Sequence, residues 1–150
     1  MIEVLPTRVV TFPRSGHHWL IELLQERLGD KIFLYTEHYT DGGKTLETGY
    51  PGVNVQKTHD FDLEVPKVSW YRHVVQVRRV QDCLKSWRKL EESRGPVPPR
   101  FEEQKTHFYG LWVSRWIVED VPGRLIVRYE DLVKDTDRWL KTIIDHITTT

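Results

Sequence analysis

The segment Thr11-Phe-Pro-Arg-Ser-Gly-His-His-Trp19 holds the ingredients of an anion cradle. Gly16 lets the backbone approach a ligand closely. If a helix begins here, the amides of Ser15 to His18 lie at its N-terminus, where partial positive charge gathers. Arg14 adds a planar cation suited to phosphate or sulfate oxygens. This is not a Walker loop, because no G-x-x-x-x-G-K-[ST] occurs in the chain. A second stretch, Val77-Arg-Arg-Val-Gln-Asp-Cys-Leu-Lys-Ser-Trp87, sets Arg78 eight residues before Ser86. A guanidinium and a hydroxyl so spaced can converge on one phosphate. Asp82 between them can hold the turn by capping backbone amides. In a third stretch, Val55-Gln-Lys-Thr-His59, Lys57 and His59 are two apart and share a side if the strand extends that far.

Chemistry of this kind needs strand ends to present it, and the pattern supplies them. The β-branched run Arg8 to Phe12 predicts a buried strand. A turn over 13–17 leads to a helix from His18 to Leu28, carried by Leu20, Ile21, Leu23, Leu24 and Leu28 and stopped at Gly29. Further strands are predicted at Lys31 to Tyr35, Val53 to Lys57, His73 to Arg78 and Arg124 to Arg128, with a polar loop over Thr36 to Gly52. Helices are predicted at Val80 to Arg94, Phe101 to Glu119 and Thr136 to Ile147, with Gly95-Pro-Val-Pro-Pro99 as a rigid linker. Phe108, Leu111, Trp112 and Trp116 form a stripe expected to be buried as core. Alternating strands and helices imply right-handed crossovers and a three-layer α/β/α domain with a mainly parallel sheet. Ligands of such sheets bind at the carboxyl ends of the strands, where all three stretches fall.

The order P-[KR]-S-G-x-x-W in the first stretch resembles the 5′-phosphosulfate loop of sulfotransferases. The R-x-x-x-D-x-x-x-S order around Arg78 and Ser86 is similar to their 3′-phosphate element, and Lys-Thr-His resembles the stretch supplying their catalytic histidine. The resemblance runs from about Arg8 to Ile147. It implies a P-loop-like sulfotransferase core that uses 3′-phosphoadenosine 5′-phosphosulfate as co-substrate, without a metal. Carried over, Arg14, Ser15, Gly16, His17, His18 and Trp19 hold the donor's 5′ end, and Arg78 and Ser86 its 3′-phosphate. Trp19 and Tyr129 pack the adenine. His59 accepts the acceptor's proton, with Glu37 as the reserve base, while Lys57 and Arg14 stabilise the transferring charge. His17 and His18 stand where the family often has two hydroxyl residues, so an imidazole N–H takes over that donation. The family's C-terminal Arg-Lys-Gly element does not occur in these residues, which implies either weaker donor affinity or compensation by a basic residue such as Arg79 or Lys85.

Bulk properties narrow the field further. Length fits a single domain over 1–150. Lys and Arg number 22, as do Asp and Glu, so the chain lacks the basic excess of a nucleic-acid binder. The exception is local: Lys67 to Arg94 carries eight cations against Asp82, Glu91 and Glu92, which suggests either a small anionic ligand or a solvated helix face. One cysteine, Cys83, rules out an internal disulfide. With no membrane-length apolar run and no leader-like start, no membrane partner and a cytoplasmic location are expected. A small-molecule or carbohydrate acceptor suits the polar, aromatic-bearing loop after residue 36. The competing readings are a non-catalytic nucleotide-binding module and an ATP-dependent kinase.

Overall fold

The computed structural model describes residues 2–37 and 51–149, with Glu37 described through its backbone only. The elements in chain order are β1 (Glu3–Val4), β2 (Thr7–Thr11), α1 (His17–Leu28), β3 (Leu34–Glu37), β4 (Val55–Thr58), β5 (Arg72–Val77), α2 (Val80–Arg94), α3 (Phe101–Val113), β6 (Arg124–Arg128), α4 (Tyr129–Lys134), α5 (Thr136–Ile147) and β7 (Thr148–Thr149). The main sheet has five parallel strands in the order β3-β4-β2-β5-β6. Chain order therefore reverses around β2, and the space beyond its carboxyl end is the switch point where such sheets bind ligands.

Strand residues alternate between two cores. Val9, Val55, Val74 and Val127 face α1, α4 and α5 through Leu20, Leu24, Leu132, Leu140 and Ile143. Val10, Val75 and Val77 face α2 and α3 through Cys83, Trp87, Phe101, Trp112 and Trp116. Both faces of the sheet are thus covered, which is why its strands read as nearly continuous apolar runs. The expected three-layer α/β/α architecture is what forms.

Several boundaries differ from the sequence reading, each for a physical reason. Gly29 to Lys31 tighten into a 3₁₀ turn, which delays the second large strand to Leu34–Glu37 and draws Thr36 and Glu37 out of the predicted loop. Residues 38–50 of that loop lie outside the described residues. The helix predicted to Glu119 ends at Val113 and widens into a π turn over Ser114–Val118. In the aromatic stripe, Leu111 is 46% exposed, while Trp112 and Trp116 are fully buried. Phe12 explains the choice of face. Its ring is met by Phe108, Tyr109 and Trp112 at 5.6, 4.8 and 5.6 Å. Leu111 lies about 100° from Trp112 around the helix, on the side away from Tyr109. The helix α4 and the short antiparallel pair β1–β7 are additions to the prediction.

Candidate functional site

The turn after β2 is built around two left-handed residues, Arg14 (φ 65°) and Gly16 (φ 87°). A Cβ on Gly16 would stand 2.6 Å from the Tyr129 ring, so glycine is demanded by space as well as by φ. Gln76 Nε2–H donates to the Ser15 carbonyl at 2.6 Å and ties the turn to β5. The amide of Ser15 donates to the Phe12 carbonyl at 3.2 Å, so it is not among the outward amides the sequence suggested. The first amides of α1, from His17 onward, open the helix and carry its positive end. The Ser15 hydroxyl is available instead: Oγ is buried without a hydrogen-bond partner among the described residues.

Arg78 leaves the end of β5 and reaches this turn. Its Nη1–H donates to the Arg14 carbonyl at 3.3 Å, and its guanidinium lies 4.4 Å from the centre of the Tyr129 ring. Tyr109 Oη–H donates to the Arg78 carbonyl at 2.9 Å and fixes the backbone below it. Arg78 Nε is buried without a hydrogen-bond partner among the described residues. Arg14 Nε–H donates to Ser86 Oγ at 2.9 Å, which joins the loop cation to the serine of α2. Arg14, Gly16, His17, His18, Trp19, Arg78 and Ser86 together line a cavity of about 240 Å³. Tyr129 is not on its wall. It stands behind the loop, against Gly16 and Arg78, with Trp19 6.2 Å away in an edge-on arrangement.

Across the loop lies a larger cavity of about 680 Å³, walled by His59, Phe61, Asp62, Trp87, Leu90, Glu91, Arg94 and Lys105. Arg14, His17 and His18 line both cavities, so one turn separates two chambers. His59 follows β4 and is buried. Its Nδ1 lies 2.8 Å from the Thr11 carbonyl, an atom that can only accept. The proton is therefore assigned to Nδ1, and Nε2 is the ring's basic nitrogen. The His17 ring sits 4.5 Å from that of His59 and 4.0 Å from that of His18. Burial, then the nearby His59 and the Lys57 cation, hold His17 down to about 2, so it is neutral at any physiological pH.

Lys57 is 2% exposed, and its Nζ has no hydrogen-bond partner among the described residues. Burial lowers it to about 8, still mostly charged at neutral pH. Removing that stranded charge should stabilise the fold while weakening anion binding. Lys57→Met is expected to be more stable than wild type by about 1–3 kcal/mol at pH 7. The sign of its pH dependence follows from linkage. The folded amine loses its proton near pH 8 and the unfolded one near 10.5, so the wild type gains stability across that window and the gap should close. Denaturant unfolding of both proteins at pH 7 and pH 10.5 checks it.

Other sequence candidates fall elsewhere. The side chain of Glu37 lies outside the described residues. Asp82 makes no cap; it stands in the first turn of α2, 3.7 Å from Arg79. Arg79 is thereby paired on the surface, and Lys85 is exposed, so neither joins the cavity. Most of the basic segment is likewise a solvated face, on which Arg88 pairs with Glu92 and Glu102; the partly buried Lys67 pairs with Glu119. Cys83 is buried, and its thiol is pushed up to about 12, which makes it inert. Gln76, Thr11 and Tyr109 are site-building residues that motif reading missed. Gln76 carried a signal, as a lone amide within the apolar run Val74-Val-Gln-Val77.

The fold is sulfotransferase-like. The chain is similar to the crystal structure of a sulfotransferase from Alicyclobacillus acidocaldarius, with a TM-score of 0.60 and 14% identity over 95% of this chain and 80% of that one. In sequence it is similar to WSCD family member CG9164 of Drosophila melanogaster, at 28% identity over 97% of this chain and 52% of the relative. WSCD family member GA21586 of Drosophila pseudoobscura pseudoobscura is also 28% identical, over 94% of this chain and 50% of its own. The chain thus spans about half the length of these relatives. No protein-family model matches it. Among the described residues no helix is long and apolar enough to cross a membrane, and no cluster of three or more His, Cys, Asp or Glu side chains is placed to hold a metal ion.

Proposed function

We propose that this chain is a sulfotransferase that moves the sulfuryl group of 3′-phosphoadenosine 5′-phosphosulfate to a hydroxyl or amine acceptor. One observation carries the reading: a single loop stands between a small cationic cavity and a larger cavity lined by His59, whose Nδ1 lies 2.8 Å from the Thr11 carbonyl. Ser15 Oγ and Arg78 Nε are buried donors without a partner among the described residues, and Lys57 Nζ on the neighbouring β4 is a third, in keeping with an anionic ligand near this turn. Arg14, the α1 amides and Ser15 would hold the 5′ end of the donor, with Arg78 and Ser86 on its 3′-phosphate. Trp19 would lie against the adenine, and Tyr129 would support Gly16 and Arg78 from behind.

The donor supplies an activated sulfur with a good leaving group, 3′,5′-adenosine diphosphate. In the transfer, an S–O bond forms to a hydroxyl acceptor, or an S–N bond to an amine, as the S–O bond to the 5′-phosphate breaks, and His59 Nε2 takes the acceptor's proton. Lys57 and Arg14 offset charge on the departing phosphate. Positioning and electrostatics supply most of the rate, by analogy with phosphoryl transfer. The wall of the larger cavity mixes the rings of Phe61 and Trp87 with Asp62, Glu91, Arg94 and Lys105, which suits a small polar or carbohydrate acceptor. A panel of sugars, alcohols, amines and tyrosyl peptides incubated with sulfur-labelled donor tests the reading. Label transfer with matching release of 3′,5′-adenosine diphosphate is expected. Nucleotide binding without transfer across the panel would favour a non-catalytic module.

A further inference from the structure

The residue after the candidate base is built more heavily than a strand end requires. Asp60 adopts a left-handed backbone (φ 52°), uncommon for any residue but glycine and best tolerated by Asn and Asp. Its carboxylate is buried and takes four hydrogen bonds. The amides of Glu64 and Val65 each donate to Oδ1 at 2.9 Å, which closes the loop 60–65. Trp116 Nε1–H donates to Oδ2 at 2.8 Å and Arg115 Nε–H at 3.1 Å. Arg115 also donates to the Val65 carbonyl. Arg115 and Trp116 are adjacent in the chain, and both reach one carboxylate oxygen from the π turn that ends α3. Such turns recur at functional sites. One turn earlier, Trp112 Nε1–H donates to the carbonyl of His59 itself at 3.0 Å.

We propose that Asp60, with Trp112, Arg115 and Trp116, is a positioning device for His59. It holds the backbone that follows the imidazole, so that Nδ1 meets the Thr11 carbonyl while the ring lines the larger cavity. The clamp explains why a charged group is buried beside a site with no obvious use for it. A carboxylate can accept all four donors at once, whereas an apolar residue there would strand two amides, an indole and a guanidinium. The assignment rests on the reading of His59 as the base, and its test is independent of that reading.

The test is the tautomer of His59, read by long-range proton–nitrogen NMR on the full chain at pH 7.5. The wild type should show a single Nδ1–H form. Asp60→Asn keeps the size and the left-handed tolerance of the residue but turns an N–H toward Trp116 and Arg115. Loss of the pure Nδ1–H pattern at His59 is expected. Trp112→Phe, which removes one N–H and keeps an aromatic ring in the core, should shift His59 the same way and decides the matter if Asp60→Asn does not fold. A folded Trp112→Phe or Asp60→Asn protein with the wild-type His59 pattern would overturn the proposal. A wild type that binds no 3′,5′-adenosine diphosphate yet shows the predicted tautomer loss in the variants would instead contradict the function and leave the clamp standing.

Discussion

His59→Asn should abolish sulfuryl transfer while leaving nucleotide binding as in the wild type. The substitution is chosen for what it keeps. An asparagine amide can still donate to the Thr11 carbonyl, as Nδ1 does at 2.8 Å, so the end of β4 stays anchored. Only the basic Nε2 is lost. General-base catalysis is worth about 10²–10⁴ in rate, and a drop in kcat of that size is expected. Nucleotide affinity should not change, because His59 lines the larger cavity and not the one bounded by Arg78 and Ser86. Transfer kinetics at saturating donor, with nucleotide titration of the same preparation, check both halves. An unchanged kcat would move the base elsewhere, with Glu37 the next residue to substitute.

Gly16→Ala carries the largest expected effect on the fold. Two penalties coincide there. A left-handed backbone costs an alanine about 1–2 kcal/mol, and forcing a methyl against the Tyr129 ring adds about 1–3 kcal/mol of overpacking. The nearest ring atoms would be 2.6 Å away, closer than carbon atoms tolerate. The ring cannot retreat easily, because the Arg78 guanidinium lies 4.4 Å from its centre. A loss of about 3 kcal/mol is expected, which lowers Tm by roughly 6–12 °C for a domain of this size. The same shift of Tyr129 would displace Arg78, so affinity for 3′,5′-adenosine diphosphate should fall as well. The double variant Gly16→Ala, Tyr129→Leu relieves the clash but not the φ penalty, and should recover part of the Tm alone. Calorimetry of the three proteins separates the terms.

Much of this arrangement was legible in the residues. α2 and β6 have the predicted bounds because local signals mark them: Gly95 stops the first, and Gly123 and the β-branched run define the second. The loop, Arg78 and His59 were placed at strand ends by pattern, and the parallel sheet brings those ends together. What failed to show was nonlocal. The burial of Trp112 over Leu111 depends on where the Phe12 ring stands, about a hundred residues earlier in the chain. The pairing of Glu3–Val4 with Thr148–Thr149 joins the two ends of the described chain and leaves no periodicity to detect. The π turn adds a register change that a 3.6-residue repeat cannot express. Tyr129 is put against the adenine by the family resemblance alone. The turn it supports could be seen only once Gly16 and β6 were neighbours in space.

The central claim is that the cavity bounded by Arg14, Arg78 and Ser86 takes a 3′-phosphorylated adenosine nucleotide. Thermal unfolding with 3′,5′-adenosine diphosphate, 5′-AMP and ATP–magnesium, on wild type and Arg78→Ala, tests it most directly. A ligand at about 100 times its Kd adds about 2.7 kcal/mol, or about 5–10 °C here. The account predicts such a shift with the 3′,5′-diphosphate alone, lost in Arg78→Ala. A shift with ATP–magnesium instead, or none with any of the three, would contradict it.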